Sequence, residues 1–346
     1  MKKLLQYVCA FVFVCCAGIL SAYNPPVAGD KLFFISSPFL LTNGADAAGG
    51  PFLDIHPSSI IYNPSVTAFE QRISLDAGAS LIHDDRGAHR NGGAFEAGLL
   101  MPGDLGVVTA IVEGVFTPMW DVHLGKSINT KIGFAKDITP ELCLGASAGF
   151  GWLWGAGKDW SFLADIGAMY MLGSIGPLQD IRIGASVLNI GKTYNDTDVI
   201  GLKRSGKVSF PSFARPVAGI AASLYESASF KCAASLDISM PLFQYLLLDT
   251  ALQMEFSNMF VAGISWYMNT LEFAKDVPAN MPSLTFGVKF NVNSGRIFAS
   301  NADWARSDLR VDAAWQRLYK HVDVYSAGAL LKLGSMDTTP PEIVVW

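Results

Sequence analysis

From about residue 72 onward, apolar and polar positions alternate with a period of two, the signature of strands with one apolar and one polar face. Ile73, Leu75, Ala77, Ala79 and Leu81 interleave with Ser74, Asp76, Gly78 and Ser80. The beat returns in Phe230, Cys232, Ala234, Leu236 and Ile238 against Lys231, Ala233, Ser235 and Asp237, and in Leu284, Phe286, Val288 and Phe290 against Thr285, Gly287, Lys289 and Asn291. It closes with Leu309, Val311, Ala313 and Trp315 against Arg310, Asp312 and Gln316, then Tyr325, Ala327, Ala329, Leu331 and Leu333 against Ser326, Gly328 and Lys332. Segments can be placed at 72–83, 92–101, 105–117, 119–136, 140–154, 160–173, 180–190, 213–225, 228–240, 246–256, 259–269, 283–292, 306–319 and 323–333. Their length, about ten to twelve residues, suits a tilted strand crossing a bilayer better than the five or six usual in soluble sheets.

That count of about fourteen is even, as single-chain bacterial membrane barrels require. The fold class is therefore all-β, a transmembrane antiparallel β-barrel, with a soluble sandwich as the weaker alternative. Composition agrees with the barrel. Of 346 residues, 51% are hydrophobic and only 16% charged, with 33 glycines. A soluble protein carries about a quarter charged residues, yet beyond the extreme N-terminus no apolar run approaches the eighteen residues of a spanning helix. Charged or very small residues on the polar faces (Asp76, Lys231, Asp237, Lys289) suit a lumen. Trp120, Trp152, Trp154, Trp160, Trp266 and Tyr267 cluster near segment ends, where an interfacial girdle is expected.

The N-terminus reads as a secretory leader over 1–22. Lys2 and Lys3 precede an apolar run from Leu4 to Leu20, and Ser21-Ala22 forms a small-residue cleavage site. Losing Lys2 and Lys3 from 25 basic residues leaves 23 against 30 acidic ones, a balance that disfavours nucleic acid as a partner. Cys143 and Cys232, the cysteines beyond the leader, lie in strand-like stretches and read as unpaired small apolar residues. Residues 23–71 do not alternate. They are too apolar to trail in water, and a ring of this size needs filling, so they are expected to form a plug inside the barrel 72–334. Pro57 is placed to open a short helix that Asn63-Pro64 ends. The longer connections 84–91, 191–212 and 270–282 are expected on the outer side, with 335–346 as a C-terminal tail.

Two short boxes carry a resemblance. The Gly-rich stretch Asn43–Gly50 followed by Ser58-Ser59-Ile60-Ile61-Tyr62-Asn63-Pro64-Ser65 resembles the N-terminal hatch of FadL-type outer-membrane transporters, with Ser65 in place of the family's Ala. Ile183-Gly184-Ala185-Ser186-Val187-Leu188-Asn189-Ile190-Gly191-Lys192 is similar to a strand end common in FadL-like and PorV-like barrels, and the overall pattern resembles the spirochaetal branch. The resemblance implies capture of a hydrophobic molecule, typically a long-chain fatty acid, at the outer loops. Passage into a lumenal pocket, a hatch shift and sideways exit through a kinked strand would follow. It implies a hatch or gating role for Tyr62, Asn63, Pro64 and Ser65, and a strand-end role for Asn189, Gly191 and Lys192. The implied partners are a hydrophobic ligand (a fatty acid or other lipid) and outer-membrane lipids, the location the outer membrane, and the working form a monomer. The alternative is a PorV-like docking or shuttle barrel for protein secretion that carries no small molecule. An apolar pocket next to the hatch speaks for the first, a filled lumen for the second.

No enzymatic chemistry is expected. Gly145-Ala146-Ser147-Ala148-Gly149 matches the Gly-x-Ser-x-Gly pattern of hydrolases, but alternation runs straight through it, whereas a nucleophile needs a sharp strand-to-helix turn. His56, His83, His89, His123 and His321 show no ligand spacing, so neither metal nor cofactor is expected. In the longest loop Lys203, Arg204 and Lys207 read either as an ordinary solvated loop or, with the apolar surface of Phe210 and Phe213, as a capture site for a carboxylate or an anionic surface lipid. The terminal Trp346 reads either as a barrel-insertion signal or, because Pro340-Pro341 separates it from the last strand, as the end of a periplasmic extension.

Overall fold

The computed structural model describes residues 33–42, 45–87, 90–117, 125–155, 158–194, 211–243, 246–270, 281–293, 306–319 and 321–334. Fourteen antiparallel strands close on themselves: β1 (Ser74–Asp84), β2 (Gly92–Gly103), β3 (Gly106–Thr117), β4 (Gly125–Asp137), β5 (Leu142–Trp154), β6 (Lys158–Ile175), β7 (Leu178–Lys192), β8 (Arg215–Glu226), β9 (Phe230–Ser239), β10 (Leu247–Phe256), β11 (Phe260–Asn269), β12 (Ser283–Asn293), β13 (Arg306–Tyr319) and β14 (Val322–Lys332). Each strand pairs with its chain neighbours, and β1 runs from Ser74 opposite Lys332 to Asp84 opposite Val322 to shut the ring. Closure removes every sheet edge, which is what lets strands cross hydrocarbon with their backbone groups paired.

Period-two alternation sorts the two faces as the sequence implies. Leu75, Leu81, Ile132, Phe134, Phe150, Phe162, Ile166, Ile220 and Phe286 point outward and are exposed, Ile132 at 63%. Their lumenal counterparts Asp76, Ser80, Glu96, Glu113, Asp165, Asp237, Asp249 and Asp312 are buried. An apolar belt this continuous on a water-soluble surface would aggregate; against lipid it is the matched face. Among the described residues no helix is long and apolar enough to cross a membrane.

Strand bounds agree with the alternation to within a few residues, except that the stretch 119–124, counted with the fourth segment, lies outside the described residues. The connections 85–91, 193–214 and 270–282 fall at one end of the barrel, and the tight turns at Asp104-Leu105, Gly176-Pro177 and Ser257–Met259 at the other, together with the start of β1 and the end of β14. Trp152, Trp160 and Trp266 face outward and are 43–47% exposed, as a girdle requires. Tyr267 does not: odd positions of β11 face inward, and its ring lines a lumenal crevice with Phe34, Leu40 and Tyr62. Trp120 lies outside the described residues.

Among the described residues four seams carry register shifts, and β6–β7 carries the most. The β6–β7 register shifts between Ala164 and Ile166 and again between Met171 and Ile175. On the facing strand Asn189 takes a positive φ of 61° and Gly191 one of 145°. The strand-end box is thus a β-bulge, and such features bend a strand and terminate pairing. Asp165 holds it, accepting from the Asn189 backbone N–H at 2.7 Å, while the Asn189 amide donates to the Ser212 carbonyl at 3.2 Å. Lys192 pairs with Asp159 at 2.6 Å and lies over the Trp160 ring.

Candidate functional site

Inside the ring, residues 33–42 and 45–71 pack as a plug; the Gly-rich stretch loses Asn43 and Gly44 from the description, and 23–32 and the leader lie outside it. The helix α1 (Pro38–Thr42) starts where Ser37 Oγ accepts from the Leu40 N–H at 3.3 Å and Pro38 takes the first turn. Instead of one short helix after Pro57 there are two 3-10 turns, Pro57–Ile61 and Pro64–Phe69. Asn63-Pro64 ends the first and also begins the second, because an Asn cap followed by Pro is itself a helix start.

Asn63 is fully buried and its amide is saturated. Its Nδ2 donates to the Ala47 carbonyl at 2.7 Å and to the Ala168 carbonyl of β6 at 3.1 Å, while Oδ1 accepts from the Ser65 N–H at 3.0 Å and the Ser65 hydroxyl at 2.7 Å. One side chain thus ties two hatch segments to each other and to the wall. Ser65 supplies both donors of the Oδ1 pair, its N–H and its hydroxyl. Tyr62 donates its phenol to the Leu40 carbonyl at 2.9 Å, and its own carbonyl accepts from Ser186 of β7 at 2.8 Å.

Arg182 is the anchor that sequence reasoning missed. Only 2% exposed, its guanidinium donates to the carbonyls of Ala48 at 3.1 Å, Gly50 at 2.6 Å and Pro51 at 2.8 Å. Asp237 accepts from the Ala47 N–H at 2.8 Å, Asp76 from the Ser58 N–H and hydroxyl at 3.2 and 3.0 Å, and Glu113 from the Ser36 hydroxyl at 2.8 Å. At the end where β1 begins, Glu70 holds Lys332 at 2.7 Å and Arg72 at 3.2 Å, Arg72 holds Asp308 at 2.6 Å, and Asp54 meets Arg310. For the strand residues the sequence signal was a charge on the lumenal beat; Asp54, Glu70 and Arg72 lie off the strands and had none.

Two hatch groups have displaced titrations. Burial, reinforced by Lys332, pushes the His56 imidazole well below its ordinary value of 6.5. Burial and the neighbouring Asp237 push the Asp46 carboxyl well above 3.8. The signs are opposite. Seated His56 stays neutral, so below about pH 6.5 a released His56 gains a proton that the seated one refuses, and the seat weakens as pH falls. Seated Asp46 stays protonated, so above about pH 3.8 a released Asp46 sheds a proton and its seat weakens as pH rises. Amide protection, corrected for intrinsic exchange, should therefore fall around residues 54–62 as pH drops from 7.5 to 5.5, and around 45–50 as pH rises from about 3.8. His56→Gln should flatten only the first trend, and parallel trends in both segments would refute the assignment.

Beside the hatch, in the half of the lumen that bears the long connections, lies an apolar cavity of about 70 Å³. Phe33, Phe34 and Ile61 form its hatch side, and Leu163, Leu188 and Pro211 its far side. Glu113, Asn129, Lys131 and Arg215 contribute polar groups, and Asn189 links it to the bulged seam. Voids between α1 and the wall hold no more than about 20 Å³, whereas a wider, charged hollow of about 270 Å³ opens among Asp54, Arg72, Lys289, Arg310 and Lys332 at the end where β1 begins. Lys203, Arg204, Lys207 and Phe210 lie outside the described residues; Phe213 is described and exposed. Ser147 sits mid-strand with its hydroxyl donating to Asp165 at 2.6 Å, so the Gly-x-Ser-x-Gly stretch is lumenal wall and no nucleophile turn. Cys143 and Cys232 are free thiols.

No family model matches the chain, and no curated protein matches it in sequence. Solved structures do match. A mutant of the monoaromatic hydrocarbon channel TodX, a Pseudomonas putida toluene transporter, aligns over 87% of this chain and 99% of its own at 12% identity, TM-score 0.53. The Ralstonia pickettii toluene transporter TbuX aligns over 87% and 98% at 13% identity, TM-score 0.51. A Pseudomonas aeruginosa FadL homologue aligns over 84% and 97% at 12% identity, TM-score 0.46. At these identities the likeness is one of fold. The chain thus shares the fold of these barrels, with fourteen strands closed around its own N-terminal segment.

Proposed function

We propose that this protein carries small hydrophobic molecules across the outer membrane, through the cavity between Phe33, Phe34 and Ile61 and the β4–β8 wall. That cavity is the observation that carries the reading: a docking barrel has no need of an apolar hollow lined by two phenylalanines and opening beside a bulged seam. Hydrophobic lining with a few placed polar groups is the usual make-up of a small-molecule site. The related folds supply a precedent, since TodX and TbuX are toluene transporters.

Size bears on the cargo. About 70 Å³ is well under the roughly 300 Å³ at which drug-sized pockets begin. A compact molecule needs a modest parting of Phe33 and Phe34, whereas a long-chain fatty acid needs the hatch to withdraw. Access from the outer loops, with Phe213 at the rim, and departure through the β6–β7 bulge complete the path. The saturated Asn63 amide and Pro64 serve as the gating turn, and the chain works as a monomer after removal of its leader.

Proteoliposome uptake of labelled toluene and labelled palmitate tests this directly. Leu188→Trp, which fills the cavity, should lower toluene uptake severalfold with a heat-modifiable barrel retained; unchanged uptake rejects the cavity as the route. Asn63→Ala with Pro64→Ala loosens the turn and should raise palmitate uptake. An intact barrel with unaltered uptake removes the gating role.

A further inference from the structure

We propose that Asn129 reads a hydrogen-bond acceptor on the cargo, so that the cavity prefers compact apolar molecules bearing one neutral carbonyl-type oxygen over plain hydrocarbons and over carboxylates. This rests on the transport reading above and names the substrate class of the same site.

Asn129 projects inward from β4 at the register position of Gly151 on β5. The missing side chain of Gly151 leaves the space in which the Tyr194 hydroxyl, the Asn129 carbonyl oxygen and the Ser161 hydroxyl converge. Tyr194 is fully buried and donates its O–H to Asn129 Oδ1 at 2.7 Å. That bond occupies the acceptor end of the amide and leaves the donor end free. Asn129 Nδ2 is itself buried and has no hydrogen-bond partner among the described residues. Buried amide donors are ordinarily satisfied, and each exception calls for a cause. Here the cause is at hand, because Asn129 lines the apolar cavity formed by Phe33, Phe34, Ile61, Leu163 and Leu188.

The charges nearby decide between a neutral and an anionic acceptor. Lys131 is already bonded to Asp165 at 2.6 Å, and Arg215 faces Asp249 at 3.8 Å. Glu113, which accepts from the Ser36 hydroxyl, lines the same cavity and adds no cation. An entering anion would find both cations already countered, and burying it there has no compensating partner. A neutral oxygen accepts from Asn129 with no such penalty, while a pure hydrocarbon leaves the donor unpaired.

Titration calorimetry on the purified full-length protein in detergent, with four ring compounds of similar size, tests the assignment. Acetophenone should bind about tenfold more tightly than ethylbenzene or benzoate, the change that one buried hydrogen bond contributes, and aniline should gain nothing over ethylbenzene. Asn129→Leu should erase the preference for acetophenone. Asn129→Asp, which keeps the shape and exchanges the donor for an acceptor, should move the preference to aniline and stands in if the leucine variant fails to form a heat-modifiable barrel. Equal binding of acetophenone and ethylbenzene, a preference for benzoate or aniline in the unaltered protein, or a preference that survives both substitutions overturns the role of Asn129 and leaves the transport reading standing. Failure of all four compounds to bind overturns both.

Discussion

Arg182→Met should release the hatch loop around residues 46–53 at a cost of about 3–5 kcal/mol, the range for removing one partner of a buried charged network. The guanidinium reaches across from β7 to three consecutive-turn carbonyls, those of Ala48, Gly50 and Pro51, and nothing else in the described lumen donates to them. Methionine preserves the length and apolar stem of the side chain, so the loss isolates the donors. The loop depends on that grip because Gly49 and Gly50, at φ of 79° and 68°, supply little stiffness of their own. Hydrogen exchange in detergent should show residues 46–53 losing protection while strand amides keep theirs. Unchanged protection in the loop would mean that Asn63 and Asp237 hold it without Arg182.

How far the molecule was legible follows from the range of its interactions. Barrel strands were readable because a lipid face and a lumen face impose period two on the chain itself, as in Leu75-Asp76-Ala77 or Phe286-Gly287-Val288. A rule of that kind acts between neighbours in sequence. The plug was inferred from the failure of the same rule before residue 72. The contacts that seat it were out of reach, because Arg182 meets Ala48 across 134 residues and Asp237 meets Ala47 across 190.

Single positions behaved differently according to how many readings they allowed. Asn63-Pro64 was read as a helix stop and is a stop and a start, since the same two residues suit either end. Tyr267 was placed in the girdle with Trp266, but adjacent strand residues face opposite sides, so only one of the two can meet lipid. The bulge at Asn189 shows in sequence only as a short box; its meaning depends on Asp165, across the seam on β6.

Gly184→Ala should unseat the hatch by a different route, from the wall side. A methyl group at Gly184 would drive into the carbonyl of Ala47, and one at Gly145 would come within 2.5 Å of the Pro64 carbonyl carbon and the Ser65 nitrogen. In both cases the obstacle is backbone, which cannot rotate away as a side-chain tip does. Overpacking of this kind typically costs about 1–3 kcal/mol, and here the cost falls on the seated plug alone, since a barrel with a withdrawn plug accepts alanine in β7 without strain. The barrel should therefore still form and migrate as heat-modifiable, while proteoliposomes carrying Gly184→Ala become leaky to small sugars. Gly263 provides the control. It also faces the lumen, but a methyl there meets nothing nearer than the Thr285 Cβ at 3.7 Å, so Gly263→Ala should stay sealed. Equal tightness of the two variants would show that the plug tolerates displacement from β7, and that its seal is made elsewhere, at the Asp54, Glu70 and Arg72 ion pairs where β1 begins.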